Sequence, residues 1–179
     1  MAWSTSRVSS WCPWGLSEDL AWFNDLPRDE AEIRLLTCCG SRSWASAVAA
    51  HRPYPDLLAL VSRSDVVWSE LEPSDWLEAF AAHPRIGESG GHSPGQSEKE
   101  QSRVMGAGDE TMAALAQGNR RYEARFGHVF LISAEGRTAA EVLAALRERI
   151  DNDPETELEL AAREQRKITR LRLERMLHG

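Results

Sequence analysis

The sequence predicts an all-α fold: a single-domain multi-helix bundle interrupted by one short buried extended segment. Three observations carry that expectation. Apolar residues recur at three- and four-residue spacing, as in "DETMAALAQGNRRYEARF", where Met112, Leu115, Asn119, Tyr122 and Phe126 form one stripe. Helix stops and starts punctuate the chain at Pro27, Gly40, the run "RPYP" and "NDP". Only "HVFLIS" reads as a short, buried, extended stretch, and strands never alternate with helices. Neither GxGxxG nor GxxxxGK[ST] occurs, so dinucleotide-binding and P-loop readings fail.

In chain order, Leu16–Asn24 forms a short helix. Pro27 stands at a first helical position before "RDEAEIRLLTCC", which Gly40 closes. Ser43–His51 is compatible with a third helix, and Asp56–Glu70 and Ser74–Ala82 follow, the latter carrying Trp76, Ala79 and Phe80 on one face. His83–Gln96 is a loop rich in glycine, and Ser97 opens a helix to about Gly106. After the stripe at 109–127 and the extended segment, Thr138–Ile150 is helical. Asp153 then caps a long last helix, with Pro154 in its first turn, running to about Leu177.

Composition bounds the function. A chain of 179 residues suits one compact domain, taken as residues 15–179 behind a loose tail at 1–14. The opening "MAWSTSRVSSWCPWG" has no apolar run and does not read as a secretory leader. A net charge of −7 disfavours nucleic-acid or anionic-membrane binding, and no apolar run has the length of a membrane span. Cys12, Cys38 and Cys39 lack CxxC spacing; the adjacent pair reads as reduced, buried thiols, as expected in the cytoplasm. No metal is expected, because HExxH is absent and the five histidines share no ligand spacing.

Three features could carry chemistry. His83 leaves a helix and precedes Pro84, which biases it away from helical geometry and holds the imidazole at a defined exit. The alternative is a histidine that merely favours the helix dipole. Ser97 and Glu100 have capping-box spacing, which is a structural explanation; a substrate rim at Ser97, Glu100 and Gln101 is the functional one. On the last helix Leu158, Ala161, Gln165, Ile168, Arg172 and Met176 share a face. Arg172 thus sits on an apolar stripe and requires a carboxylate or an anionic ligand. Arg163, Arg166, Lys167, Arg170 and Arg175 are expected on a solvated face. Asn119 poses the question of Arg172 in weaker form. A His, a Glu and an Arg without cofactor motifs suit proton transfer and anion handling.

The ordered set "HP", "SEKEQ", "YEARFGHVF", "NDP" and "KITRLRL" resembles the OHCU decarboxylase family, and the likeness runs from Leu16 to Leu177. The resemblance implies an all-α, cofactor-free homodimer that decarboxylates 2-oxo-4-hydroxy-4-carboxy-5-ureidoimidazoline (OHCU) to (S)-allantoin in urate degradation. By motif position it implies that His83 is the proton donor and Pro84 its substrate-contacting neighbour. Ser97, Glu100 and Gln101 match the substrate-binding element. Phe130, Leu131, Ile132, Ser133 and Ala134 match the segment that offers main-chain groups to substrate. Arg172 matches an arginine beside the histidine and glutamate, which makes Glu100 its implied partner. A lyase or hydrolase acting on another ureido acid, or a non-catalytic helical interaction module, are the competing readings.

Overall fold

The computed structural model describes residues 18–88 and 90–177; the N-terminal tail expected at 1–14, and Leu16, lie outside them. Ten helices and no strand occur among the described residues: α1 (Glu18–Asp25), α2 (Arg28–Cys38), α3 (Arg42–Ala50), α4 (Leu57–Glu70), α5 (Pro73–Ala81), α6 (Pro94–Glu100), α7 (Ser102–Met105), α8 (Asp109–Phe126), α9 (Ala139–Arg149) and α10 (Pro154–Met176). The expected all-α class is what the chain adopts.

Local chemistry sets the boundaries. Ser41 caps α3 by accepting from Trp44 N, Asp56 caps α4 through Ala59 N, and Asp153 caps α10 through Thr156 N with Pro154 next. Thr138 and Glu141 form a full capping box on α9. Two expected starts move. Pro27 is the N-cap of α2 rather than its first residue. The helix expected from Ser97 starts at Pro94, whose fixed φ favours the first turn, and breaks at Gln101 into α6 and α7.

Side chains gather in two apolar clusters. One joins α1–α5 to α10 around Phe23, Leu35, Trp44, Leu60, Phe80 and Leu173, all fully buried. The other joins α7, α8 and α9 around Val104, Leu115, Tyr122, Val142 and Leu146. The extended segment 129–134 runs between them. Leu131 joins the first cluster, while its neighbours Phe130 and Ile132 join the second. That is the alternation of an extended chain buried on both sides. Its position puts extended backbone, held largely by side chains, at the seam of the two clusters.

Candidate active site

His83 follows the end of α5, where its N–H donates to Phe80 O at 3.0 Å. The loop behind it is held firmly. Gln101 Oε1 accepts from Gly87 N at 2.8 Å, and Asn119 Nδ2 donates to Ile86 O at 2.8 Å. That bond explains the polar residue in the α8 stripe. His92 N donates to Ala82 O at 2.8 Å, closing the loop on itself. Gly91 sits at φ +77°, and a Cβ there would lie 2.6 Å from Pro84 Cδ. Glycine is therefore required for the loop to pack on the proline beside His83.

Across from His83 stands a buried ion pair. Arg172 of α10 donates from Nε to Glu100 Oε1 and from Nη2 to Glu100 Oε2, both at 2.9 Å, and Nη2 reaches Ser97 Oγ at 3.3 Å. Parallel bonds of this kind combine charge with a fixed orientation. Ser97 and Glu100, one turn apart on α6, thus face Arg172 and are not a helix cap. Arg175 also donates to Glu100 Oε1, at 3.1 Å, and pairs with Glu135. The expectation that Arg175 lies on the solvated face is overturned: three residues after Arg172, it falls on the same side of α10. Arg163, Arg166, Lys167 and Arg170 are exposed as expected.

These groups meet in one small cleft. His83, Pro84 and Ile86 form one wall; Ser97, Glu100 and Gln101 another; Phe130, Leu131, Ile132 and Ala134 a third; Ile168 of α10 the floor. Ser133 is absent from the lining. Its N–H donates to Glu164 Oε2 at 2.8 Å and its carbonyl accepts from Arg137 Nε at 3.1 Å. Leu131 O is likewise taken, by Arg149 Nη1 at 2.8 Å. Among the described residues, Leu131 N and both backbone groups of Ile132 have no internal hydrogen bond. Buried backbone groups of that kind need a partner.

Larger cavities exist, including one of about 380 Å³ between α8 and α9 lined by Arg121, Arg147 and Asp151. None gathers a perturbed titratable group. At the small cleft, burial and then the charge of Arg172 push the His83 pKa down to about 3, partly offset by the Gln165 side chain. His83 as a whole is half-buried, but its ring is densely surrounded, and it is neutral at physiological pH. Clustered groups with shifted titration mark functional sites more reliably than volume does. The thiols of Cys38 and Cys39 are buried and pushed up to about 12 and about 11, chiefly by burial, so both are protonated and inert. Among the described residues no three His, Cys, Asp or Glu side chains cluster to hold a metal. No helix among them is long and apolar enough to cross a membrane.

The sequence profile of the OHCU decarboxylase family matches residues 24–174. The chain belongs to that family. The uric acid degradation bifunctional protein TTL of Arabidopsis thaliana is 39% identical over 145 residues, covering 78% of this chain and 45% of that protein. The bifunctional protein PucL of Bacillus subtilis is 28% identical over 133 residues, covering 73% and 27%. The chain therefore spans less than half the length of these curated relatives. A solved structure of OHCU decarboxylase in the presence of (S)-allantoin superposes with a TM-score of 0.73 at 37% identity, over 80% of this chain and 96% of that one. A solved (S)-allantoin synthase, 20% identical over 88% of this chain and 54% of that one with a TM-score of 0.67, shares the fold.

Ile86, Ile168 and Gln165 complete the surroundings of His83 and were not expected as site residues. Ile168 and Gln165 share the α10 face with Arg172, so their burial is legible from periodicity. Their approach to His83 depends on how α10 crosses the end of α5.

Proposed function

We propose that this member of the family decarboxylates OHCU to (S)-allantoin in urate degradation, without a cofactor. The observation that carries the reading is the convergence of a neutral imidazole, a glutamate clamped by two arginines and free backbone groups in one cleft. The substrate bears a carboxylate and a hydroxyl on C4 and a ureido group on C5. When the C4–carboxylate bond breaks, its electron pair forms the C4–C5 double bond. The ring imine's π pair moves to nitrogen, which takes a proton from solvent. Loss of the hydroxyl proton then creates the C4 carbonyl, and C5 receives a proton on one face.

Each side chain has a place in that sequence. Glu100 accepts the substrate hydroxyl, and Arg172 keeps its carboxylate oriented through two parallel bonds. His83, neutral at rest, takes up the proton released by the hydroxyl as the C4 carbonyl forms and delivers it to C5, with Pro84 fixing its approach. Gln101, whose Oε1 is committed to Gly87, offers its Nε2 to the ureido group, while Ser97 lines the same wall. Leu131 and Ile132 contribute their free backbone groups, within the segment Phe130–Ala134. Ser133 acts only as a support, since both of its main-chain groups are engaged. We further infer a homodimer working in a reducing cytoplasm. The exposed Ile33, Leu58 and Leu77 and the unpaired thiols support this. Sedimentation at the mass of one chain would overturn the dimer.

The test is circular dichroism at an allantoin-sensitive wavelength, with OHCU generated in situ from urate by uricase and hydroxyisourate hydrolase. Wild-type protein is expected to produce the (S)-allantoin signal rapidly, and His83→Asn to slow it by about 10²–10⁴-fold. Racemic product forming at the uncatalysed rate in the presence of wild-type protein would reject the substrate. Stereoselective turnover retained by His83→Asn would reject the role of His83.

A further inference from the structure

A second cavity, of about 350 Å³, backs on the Arg172–Glu100 pair. Its lining shares no residue with that of the cleft. Helix α6 serves both spaces: Ser97 and Glu100 line the cleft, while Gln96 and Lys99 line the cavity. Helix α10 contributes Arg172 and Arg175 to it, α2 contributes Arg34 and α1 contributes Trp22. Among the described residues no acidic side chain lines it. Arg172 and Arg175 are bound to Glu100 and Glu135, whereas Arg34 and Lys99 have no carboxylate partner among the described residues. Four cations against two carboxylates leave two positive charges in excess, on a chain whose net charge is −7. A concave place lined by one sign of charge concentrates ions of the other.

Two polar groups of this lining are left unspent. Arg172 is 5% exposed, and its Nε and Nη2 are taken by Glu100 and Ser97. Its Nη1 makes no hydrogen bond among the described residues, and it is not one of the atoms sealed from solvent. Because Arg172 lines the cavity and not the cleft, Nη1 is the end it offers there. Gln96 Oε1 is buried without a partner, and Gln96 Nε2 reaches Thr37 O only at 3.4 Å. That carbonyl already accepts from Ser93 Oγ at 3.0 Å. The Gln96 amide is thus weakly held and free to turn its Nε2 toward an anion. Beside them the Arg34 guanidinium carbon stands 5.3 Å from the centre of the Trp22 ring, which is itself exposed.

We propose that this cavity binds a phosphate dianion, free or esterified to a small planar molecule, and that the bound anion acts on the cleft through Arg172. Arg172 Nη1, Arg175, Arg34 and Lys99 supply the charge, in the residue types that recognise phosphate best. The excess of two positive charges matches a dianion, and Trp22 gives a planar group a surface to rest on. The coupling follows from the sharing of one guanidinium. An anion on Nη1 competes with Glu100 for the charge of Arg172, so the hold on Glu100 loosens without any ligand entering the cleft. That coupling rests on the role proposed for Glu100; the binding does not.

The test is calorimetric titration of the protein with inorganic phosphate and, separately, with adenosine monophosphate, at mildly alkaline pH and constant ionic strength so that general screening is unchanged. Saturable binding at one site per chain is expected. The double variant Arg34→Gln, Lys99→Gln should weaken it about tenfold, the sum of two partly exposed charge contacts. Both side chains are exposed and lie outside the cleft, so without phosphate this variant should turn over OHCU as wild type does, which also reports that it folds. Tighter binding of the nucleotide, lost in Trp22→Ala, would assign the site to a phosphate ester; equal binding of both would assign it to free phosphate. In wild type, phosphate should lower kcat with KM unchanged, and the double variant should need about ten times more phosphate for the same effect. Absence of saturable binding, or binding that survives loss of both Arg34 and Lys99, overturns the site. Inhibition competitive with OHCU would place the anion in the cleft and overturn it equally. A wild type without OHCU turnover would remove the function proposed above and the coupling with it, while the calorimetry still decides the site.

Discussion

Two arginine–glutamate pairs, Arg149–Glu157 and Arg172–Glu100, are built differently. Glu157 on α10 is fully buried and accepts from the Tyr122 hydroxyl, from Arg149 Nε at 2.9 Å and Nη2 at 2.5 Å, and from Asn152 Nδ2 at 2.9 Å. Arg149 also covers the Phe130 ring and holds Leu131 O. There the carboxylate is satisfied by one guanidinium and two neutral donors, and the guanidinium by that carboxylate and a backbone carbonyl. Glu100 is held instead by two cations, Arg172 and Arg175, and it lines a cleft with His83. The first arrangement has no interaction left to give. The second sets its carboxylate between two guanidiniums, one of them shared with Glu135, at the lining of a cleft. Similar burial thus conceals different settings: Glu157 braces the segment through Arg149, and Glu100 lines the cleft where the proposed chemistry would occur.

The comparison can be broken at either pair. Glu157→Gln should cost the most stability, about 3–5 kcal/mol by chemical denaturation, because Arg149 is left uncompensated in the core. The fraction that still folds should decarboxylate with a near-normal kcat. Glu100→Gln should do the reverse, lowering kcat by about 10²–10⁴-fold with a smaller loss of stability. If Glu100→Gln unfolded the protein as readily as Glu157→Gln while sparing kcat, the distinction would collapse. A third effect concerns His83 and acid. The folded ring takes its proton near pH 3 and an unperturbed one near pH 6.5. Between those values the unfolded chain binds more protons, so stability is lost as the pH falls from about 6.5 toward 3. Subtracting the His83→Asn curve should isolate a slope of at most ~1.4 kcal/mol per pH unit for that one proton. Superimposable curves would mean that the ring is hydrated and already cationic at mildly acidic pH.

Much of this was legible before any coordinates. The α10 stripe needed only a period of 3.6 residues, and a guanidinium on it demanded a partner. His83 at the exit of α5 followed from the proline after it. The identity of the partner, Glu100, came from the family resemblance alone, because a separation of 72 positions from Arg172 holds no spacing that pairs them. Ser97–Glu100 misled as a capping box because an i, i+3 pair serves a helix start and a helix face equally. Pro94 decides in favour of the earlier start, and Ser93 spends its hydroxyl on Thr37 O at 3.0 Å instead of capping. The meeting of Ile168 with His83 depends on where two distant helices cross, which no local pattern encodes.

The bare backbone of Leu131 and Ile132 has a consequence for how this protein can change over time. A pocket that reads its ligand through side chains is rewritten by a single codon. Here a substitution of Leu131 or Ile132 alters the packing of the two clusters but leaves the same amide and carbonyl in the same place. Under the proposed function, specificity written in main chain would be insulated from point mutation, and a new substrate preference would have to arise by shifting the path of the segment, through the residues that pin it: Arg137, Arg149 and Glu164.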